Sequence, residues 1–276
     1  MDNGKVDVTR FPDGEVAIML QENVTGRETV AIGSTEPPAE NFMELAFIVQ
    51  KVVADGAKKV TVILPYFGYS RGDKEAKEGE VATAKAIATM LQSVGGGNLE
   101  VVLIDPHSHI ISEFFNVPVK EISMIKELAN GFANTSALSI VAPDFGALER
   151  AGKFAEVLKI EKIVRVEKER VSPEKVEIKR VIGEVERSTV IVDDMVQTGG
   201  TILEVAKAMK VRGVDEVFVA ATHMVYSAGG WRRLVESNLI DGVVTTNTIE
   251  PPKDLPSKFK VIDITPVLKK IINVGG

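Results

Sequence analysis

Residues 190–201 read Val-Ile-Val-Asp-Asp-Met-Val-Gln-Thr-Gly-Gly-Thr, a dozen that concentrates more chemistry than any other stretch of the chain. An apolar run leads into two carboxylates, Asp193 and Asp194, then a small-residue loop, then helical spacing from Ile202. Gly199 and Gly200 let the backbone approach an anion closely, and a helix start offers free N–H groups and a positive dipole end. Thr198 and Thr201 add hydroxyl donors. Asp193 and Asp194 can accept hydrogen bonds from sugar hydroxyls or hold a metal through water. In this order the groups suit a phosphorylated ribose. The plainer alternative is an acidic strand end before an ordinary glycine turn; two glycines alone would not displace it, but the whole string does.

Other candidates are weaker taken singly. Lys168 and Arg170 flank Glu169 in a polar segment after a strand, where both could reach phosphate charge. Alone, that run reads as a solvated charged surface. His107 follows Asp105 and Pro106 at the end of an apolar strand, where a lone histidine is more often structural or simply exposed. Asp144 holds the equivalent place after the next strand, where it can also cap a helix beginning near Ala147. His109 is read as structural.

These residues need elements to position them. Short Val/Ile-rich runs predict strands over 16–20, 29–32, 59–64, 99–104, 137–142, 162–166, 189–192 and 216–221. Helical spacing falls over 41–55, 80–94, 122–133, 147–158, 202–212 and 230–237, with a short amphipathic helix over 266–273. Apolar strands alternating with helices of this size indicate parallel α/β architecture. That many units is generous for one sheet, so a split is expected near 118–122. Two segments echo each other as strand, polar loop and helix: KKVTVILPYFGYSRGD and STVIVDDMVQTGGT. Each loop would open at the carboxyl end of its sheet, where α/β folds place ligands.

Composition narrows the classes. Of 276 residues 45% are hydrophobic and 26% charged, as in a soluble globular protein with a sizeable core. The absence of cysteine excludes disulfides, thiol catalysis and thiolate metal sites. A net charge of −6 argues against general nucleic-acid binding. With no membrane-length apolar run and no charged-then-apolar leader, no membrane association and a cytoplasmic location are expected.

Read together, the motifs resemble a known family, the ribose-phosphate pyrophosphokinases or phosphoribosyl-pyrophosphate (PRPP) synthetases. The likeness covers nearly the whole chain. It rests on Arg10-Phe-Pro-Asp-Gly-Glu15, Ser34-Thr-Glu-Pro-Pro38 with Asn41-Phe-Met-Glu-Leu45, Pro65-Tyr-Phe-Gly-Tyr-Ser-Arg71, Asp105-Pro-His107, Phe114-Phe115 with Val117-Pro118, Ala142-Pro-Asp-Phe-Gly-Ala-Leu148, Glu167-Lys-Glu-Arg170 and 193–201, in that family's order. The Pro-His and Pro-Asp-x-Gly-Ala-Leu wording is nearer to archaeal members.

The resemblance implies transfer of the β,γ-diphosphoryl group of ATP, with Mg²⁺, to O1 of ribose 5-phosphate, giving AMP and PRPP. It implies two similar domains of the type I phosphoribosyltransferase kind, Rossmann-like, each a parallel sheet flanked by helices. Residues 1–120 would form the ATP-side domain and 121–259 the ribose 5-phosphate domain, with 260–276 packing back on the first. A homodimer or higher homo-oligomer is implied as well. Lys168 and Arg170 become the catalytic pair, and Arg170 also serves ribose 5-phosphate. Asp193, Asp194, Gln197, Thr198, Gly199, Gly200 and Thr201 bind that substrate, Gln197 chiefly through its backbone. His107 and Asp144 become metal-site residues. Phe11, Asp13, Gly14, Glu15, Arg71, Gly72 and His107 serve ATP. Two departures stand out. The family usually carries glutamine where this chain has Gly72, and usually a strand and helix ahead of the loop that here begins at residue 10. Either the chain is a shortened form or its true start lies upstream, and loss of that unit would expose part of the first sheet. Competing expectations are a non-catalytic regulatory homologue and, more distantly, a phosphoribosyltransferase that consumes PRPP.

Overall fold

The computed structural model describes residues 4–170 and 176–273, which divide into two compact units after Ile122. The first unit runs β1 (Val6–Arg10), β2 (Val16–Leu20), β3 (Glu28–Ile32), α1 (Glu40–Ala54), β4 (Lys59–Leu64), α2 (Thr83–Gly95), β5 (Leu99–Ile104), α3 (Ile110–Glu113) and β6 (Val119–Ile122). β1 and β2 pair as a separate antiparallel hairpin, while β3, β4, β5 and β6 form a four-stranded parallel sheet in chain order. β4 and β5 are central, and their sequences KVTVIL and LEVVLI are apolar nearly throughout because both faces are covered. α1 lays Phe42, Leu45, Ala46, Val49 and Val52 along one buried stripe, and α2 adds Ala84, Ile87, Ala88 and Leu91. Leu91 is fully buried, and its truncation to alanine would cost about 2–5 kcal/mol.

The second unit runs α4 (Ile125–Asn130), β7 (Leu138–Ala142), α5 (Leu148–Leu158), β8 (Ile163–Arg170), β9 (Val176–Ile182), β10 (Ser188–Val196), α6 (Gly200–Val211), β11 (Glu216–Met224), α7 (Gly230–Glu236), β12 (Gly242–Thr246), β13 (Phe259–Ile262) and α8 (Thr265–Asn273). Its sheet has the order β13-β12-β11-β10-β7-β8-β9, parallel except for β9, which pairs antiparallel with β8. α4 and α5 bury Leu128, Ala151 and Phe154 against Ile140, Ala142, Val190 and Val192. Phe132 sits between Phe154 and Phe218 with ring centroids 5.9 Å from each. α6 packs against β9, β10 and β11 and buries Ile202, Val205, Ala206 and Met209.

The expected α/β architecture of parallel sheets flanked by helices is the one observed. Several boundaries moved, each for a physical reason. β8 continues through the charged residues 167–170 because β9 hydrogen-bonds alongside, so Lys168 stands in a strand rather than a loop. β10 continues to Val196 because β11 runs beside it to Met224, which puts Asp193 and Asp194 inside the strand. α6 starts at Gly200, two residues before the apolar spacing begins. Residue 120, the expected boundary, lies within β6. β13 pairs with β12, so the segment expected to leave for the first unit at residue 260 stays with the second sheet through Ile262.

Candidate active site

The loop that leaves β10 is shaped by its neighbours. Asp194 is 6% exposed, Asp193 is partly exposed, and the Asp194 N–H donates to Asp193 Oδ1 at 2.9 Å. Gly199 takes φ +71°, a left-handed conformation that glycine adopts without penalty, and stands as the N-cap of α6. No side chain caps that helix, so its first N–H groups are left for a ligand or water. The loop leans on the start of α7. The Gly230 N–H donates to the Gln197 carbonyl at 2.9 Å, and Arg233 Nη1 donates to the Thr198 carbonyl at 2.9 Å. A Cβ on Gly230 would fall 1.9 Å from Gln197 O, so this close approach requires glycine. Gly229 thus caps the start of α7, and Gly230 buttresses the loop from the first residue of that helix. A pocket of about 880 Å³ runs along α6 beside the loop, lined by Thr198, Gly200, Thr201, Lys207 and Arg233, with Ile178 and Val181 of β9.

Three neighbouring strands bring the charged groups together. β8, β7 and β10 are adjacent in the sheet; Asp144 lies just past the end of β7, and Lys168 and Asp193 lie within the C-terminal halves of β8 and β10 beside it. Lys168 Nζ donates to Asp144 Oδ2 at 2.7 Å, while Asp144 Oδ1 accepts the Ala147 N–H at 3.0 Å. Asp144 thus engages the turn entering α5 and pairs with Lys168 at once, although no side chain caps α5 itself, whose N-cap is Ala147. A bulge between Glu167 and Lys168 re-aims the side chains at this point of β8. The Asp193 carboxyl is held well above the usual carboxylate range, first by burial, then by the negative charge of Asp194 and, more weakly, of Asp144. With one ammonium among three carboxylates, the cluster favours a proton, a cation or hydroxyl donors. Arg170 closes β8, and its side chain lies outside the described residues. At the end of β11, His223 is buried with Nδ1 2.9 Å from Thr248 Oγ1, and the hydroxyls of Thr246 and Thr248 donate to the Thr222 carbonyl.

In the first unit, Phe11, Asp13, Gly14 and Glu15 make the turn between β1 and β2. The Phe11 N–H donates to Glu15 O at 2.9 Å, the Glu15 N–H to Asp13 Oδ1 at 3.1 Å, and Gly14 takes φ +95°. The Phe11 ring stands 56% exposed at this turn. Arg71 is exposed after β4, and His107 is exposed after β5. Gly72 has a local reason: a Cβ there would fall 2.1 Å from Thr83 Oγ1, which donates to Tyr69 O at 3.1 Å. His109 Nδ1 lies 2.8 Å from Glu121 Oε2, a structural use.

Some positioning contacts escaped sequence reasoning. Ser108 Oγ donates to Asp73 Oδ2 at 2.7 Å and ties the loops after β4 and β5 beside His107. The Gly68 N–H donates to buried Thr35 Oγ1 at 2.7 Å and ties the loops after β3 and β4. Arg233 was missed as well. It sits in the run Trp231-Arg-Arg233, whose composition carries no signal for one arginine over the other.

A parallel α/β chain with a glycine-started helix behind paired aspartates falls among the phosphoribosyl-handling proteins. The model of the N-terminal domain of ribose phosphate pyrophosphokinase matches residues 1–95, and that of the phosphoribosyl synthetase-associated domain matches 161–274. The ribose-phosphate pyrophosphokinase of Fusobacterium nucleatum is 36% identical over 276 residues, spanning 98% of this chain and 86% of the relative. That of Vibrio cholerae is 38% identical over 267 residues, spanning 95% and 84%. The crystal structure of phosphoribosylpyrophosphate synthetase from Mycobacterium smegmatis superposes with a TM-score of 0.88 at 28% identity, over 99% of this chain and 90% of that one. The chain belongs to the ribose-phosphate pyrophosphokinase family.

Proposed function

We propose that 193–201 is the ribose 5-phosphate site of this enzyme and that Lys168 acts on the diphosphoryl group in transfer. As a member of its family, the protein makes PRPP from ribose 5-phosphate and ATP. The observation that carries the assignment of residues is the convergence of Lys168, Asp144 and Asp193 toward the carboxyl ends of adjacent strands, the last of which leads straight into the uncapped start of α6.

In this reading the backbone N–H groups of 198–201 and the Thr198 and Thr201 hydroxyls hold the 5-phosphate. Asp193 and Asp194 accept hydrogen bonds from the ribose hydroxyls, which orients O1 toward the β-phosphorus of ATP. O1 gives up its hydroxyl proton to solvent and forms the new bond to the β-phosphorus as the bond from that phosphorus to the AMP oxygen breaks. Such a transfer depends on positioning and charge neutralisation more than on covalent help. Lys168 exchanges its Asp144 partner for the phosphate oxygens as charge builds on them. Arg170 is assigned to the same work.

Among the described residues no group of three or more His, Asp or Glu side chains could hold a metal ion by itself. What fits Mg²⁺ is a partial site, since the ion is usually held by one or two carboxylates plus substrate phosphates, and Asp144 and the aspartate pair are hard oxygen donors. Bound there, the ion would draw charge from the diphosphate. Asp144 is its proposed carboxylate ligand. His107 is assigned to the ATP phosphates or the metal's water shell. Arg71, a planar cation suited to stacking on a base, is assigned to adenine, with Phe11, Asp13, Gly14, Glu15 and the backbone of Gly72. A homodimer or higher homo-oligomer and a cytoplasmic location complete the proposal. Among the described residues no helix is long and apolar enough to cross a membrane. The test is incubation of the folded protein with ATP, ribose 5-phosphate and Mg²⁺. AMP and PRPP should appear in equal amounts, and the appearance of neither overturns the reading.

A further inference from the structure

Two consecutive carbonyls of the 197–200 loop point at the start of α7. Gln197 O accepts the Gly230 N–H at 2.9 Å, and Thr198 O accepts Arg233 Nη1 at 2.9 Å. In a trans peptide the C=O and the following N–H point in opposite directions. Fixing these two carbonyls toward α7 therefore turns the N–H groups of Thr198 and Gly199 away from it. Successive N–H groups aimed to one side form an anion-binding concavity. The left-handed φ of +71° at Gly199 and the uncapped start of α6 continue the same surface.

Arg233 and its neighbour are used differently. The Arg232 guanidinium stacks on Trp231, 4.5 Å from the ring centroid. The Arg233 side chain lies over the loop, with Nη1 3.8 Å from where a Cβ on Gly200 would be. Among the described residues no carboxylate pairs with Arg233, so its charge is not cancelled locally. A charged donor on a carbonyl is stronger than a neutral one, and it polarises the peptide so that the next N–H becomes a better donor.

We propose that Arg233 is a positioning residue for ribose 5-phosphate: by holding the Thr198 carbonyl it orients and polarises the Thr198–Gly199 peptide so that the Gly199 N–H meets the 5-phosphate. This rests on the assignment of 193–201 made above. Arg233 acts through the loop and stays on the opposite side of the peptide from the phosphate.

The test compares Arg233→Met, Arg233→Lys and Arg232→Met with the parent enzyme, measuring kcat, KM for each substrate and melting temperature. Arg233→Met should raise KM for ribose 5-phosphate about tenfold, the low end for loss of a hydrogen bond to a charged group because Arg233 acts on the phosphate only through the peptide. KM for ATP and the melting temperature should barely move, since the side chain is exposed. Arg233→Lys, which keeps a charged donor, should recover most of the loss, and Arg232→Met, which removes the same charge next door, should leave both KM values unchanged. Isothermal calorimetry with ribose 5-phosphate alone should follow the same ranking. An unchanged KM for ribose 5-phosphate in Arg233→Met overturns the inference, as does an equal rise in Arg232→Met. A parent enzyme that makes no PRPP would instead overturn the reading of the site itself.

Discussion

Lys168→Ala separates catalysis from binding most sharply. Lys168 Nζ and Asp144 Oδ2 are 2.7 Å apart, with side chains 24% and 36% exposed. At an effective dielectric constant of about 20 their gross attraction is about 6 kcal/mol, but both ions are also well solvated in the unfolded chain. The net contribution of such a pair to folding is about 1 kcal/mol, so the melting temperature should fall by only about 2–4 °C. The effect on turnover should be much larger. A preorganised donor aimed at charge that builds in the transition state is worth about 2.7–4 kcal/mol, so kcat should fall by about 10²–10³-fold. Ribose 5-phosphate affinity should change little, because no atom of 193–201 is altered. The assay is simultaneous chromatography of AMP and PRPP under saturating substrates, with calorimetric titration of ribose 5-phosphate in parallel. A kcat close to that of the parent would remove Lys168 from the transition state. A loss of ribose 5-phosphate affinity that matches the loss of kcat would show that it acts only by balancing the carboxylates.

Two further predictions concern the loop and its strand. Folding raises the pKa of Asp193, so the folded protein keeps a proton that the unfolded chain releases. Stability without metal or substrate should thus be unpenalised below the ordinary carboxylate pKa of about 3.9 and should decline as pH rises toward the raised value. Asp193→Asn should flatten that decline and raise stability at neutral pH by about 0.5–2 kcal/mol while abolishing activity, as urea melts across pH 4–8 would record. Gly199→Ala must hold φ +71° at a cost of about 1–2 kcal/mol, with its Cβ 3.2 Å from Gly230 O. KM for ribose 5-phosphate should rise in steady-state assays while KM for ATP holds; equal changes in both would deny the loop its substrate.

How much the sequence revealed depended on how each residue is buried. β4, β5, β7 and the first half of β10 are covered on both faces, so their apolar runs announced them. β9 and β13 are sheet edges whose sequences VEIKRVI and FKVI mix charge with β-branched residues, and nothing in such a pattern separates strand from loop. The 167–170 stretch misled for the same reason: its strand character comes from a partner, β9, rather than from its own composition. Around 193–201 the proposed phosphate site was legible as residue types, because glycine lets a backbone approach an anion and threonine offers hydroxyl donors. The contacts of Arg233 and Thr35 were invisible, since each depends on a carbonyl or N–H brought near by tertiary packing.

The order of strands has a consequence for how the molecule comes into being. β7 must pair with β8 on one side and β10 on the other, and β10 is translated after the β8–β9 hairpin. Ser139 of β7 bonds to Thr189 of β10 across fifty positions of chain. While the nascent chain awaits that segment, β7 presents an unzipped apolar edge, and Asp144 and Lys168 have no Asp193 to face. When β10 arrives it closes the sheet's centre and delivers the aspartates in the same event. A half-made second unit is therefore sticky, so chaperones and proteases can recognise as unfinished the same species in which the Lys168, Asp144 and Asp193 cluster is incomplete.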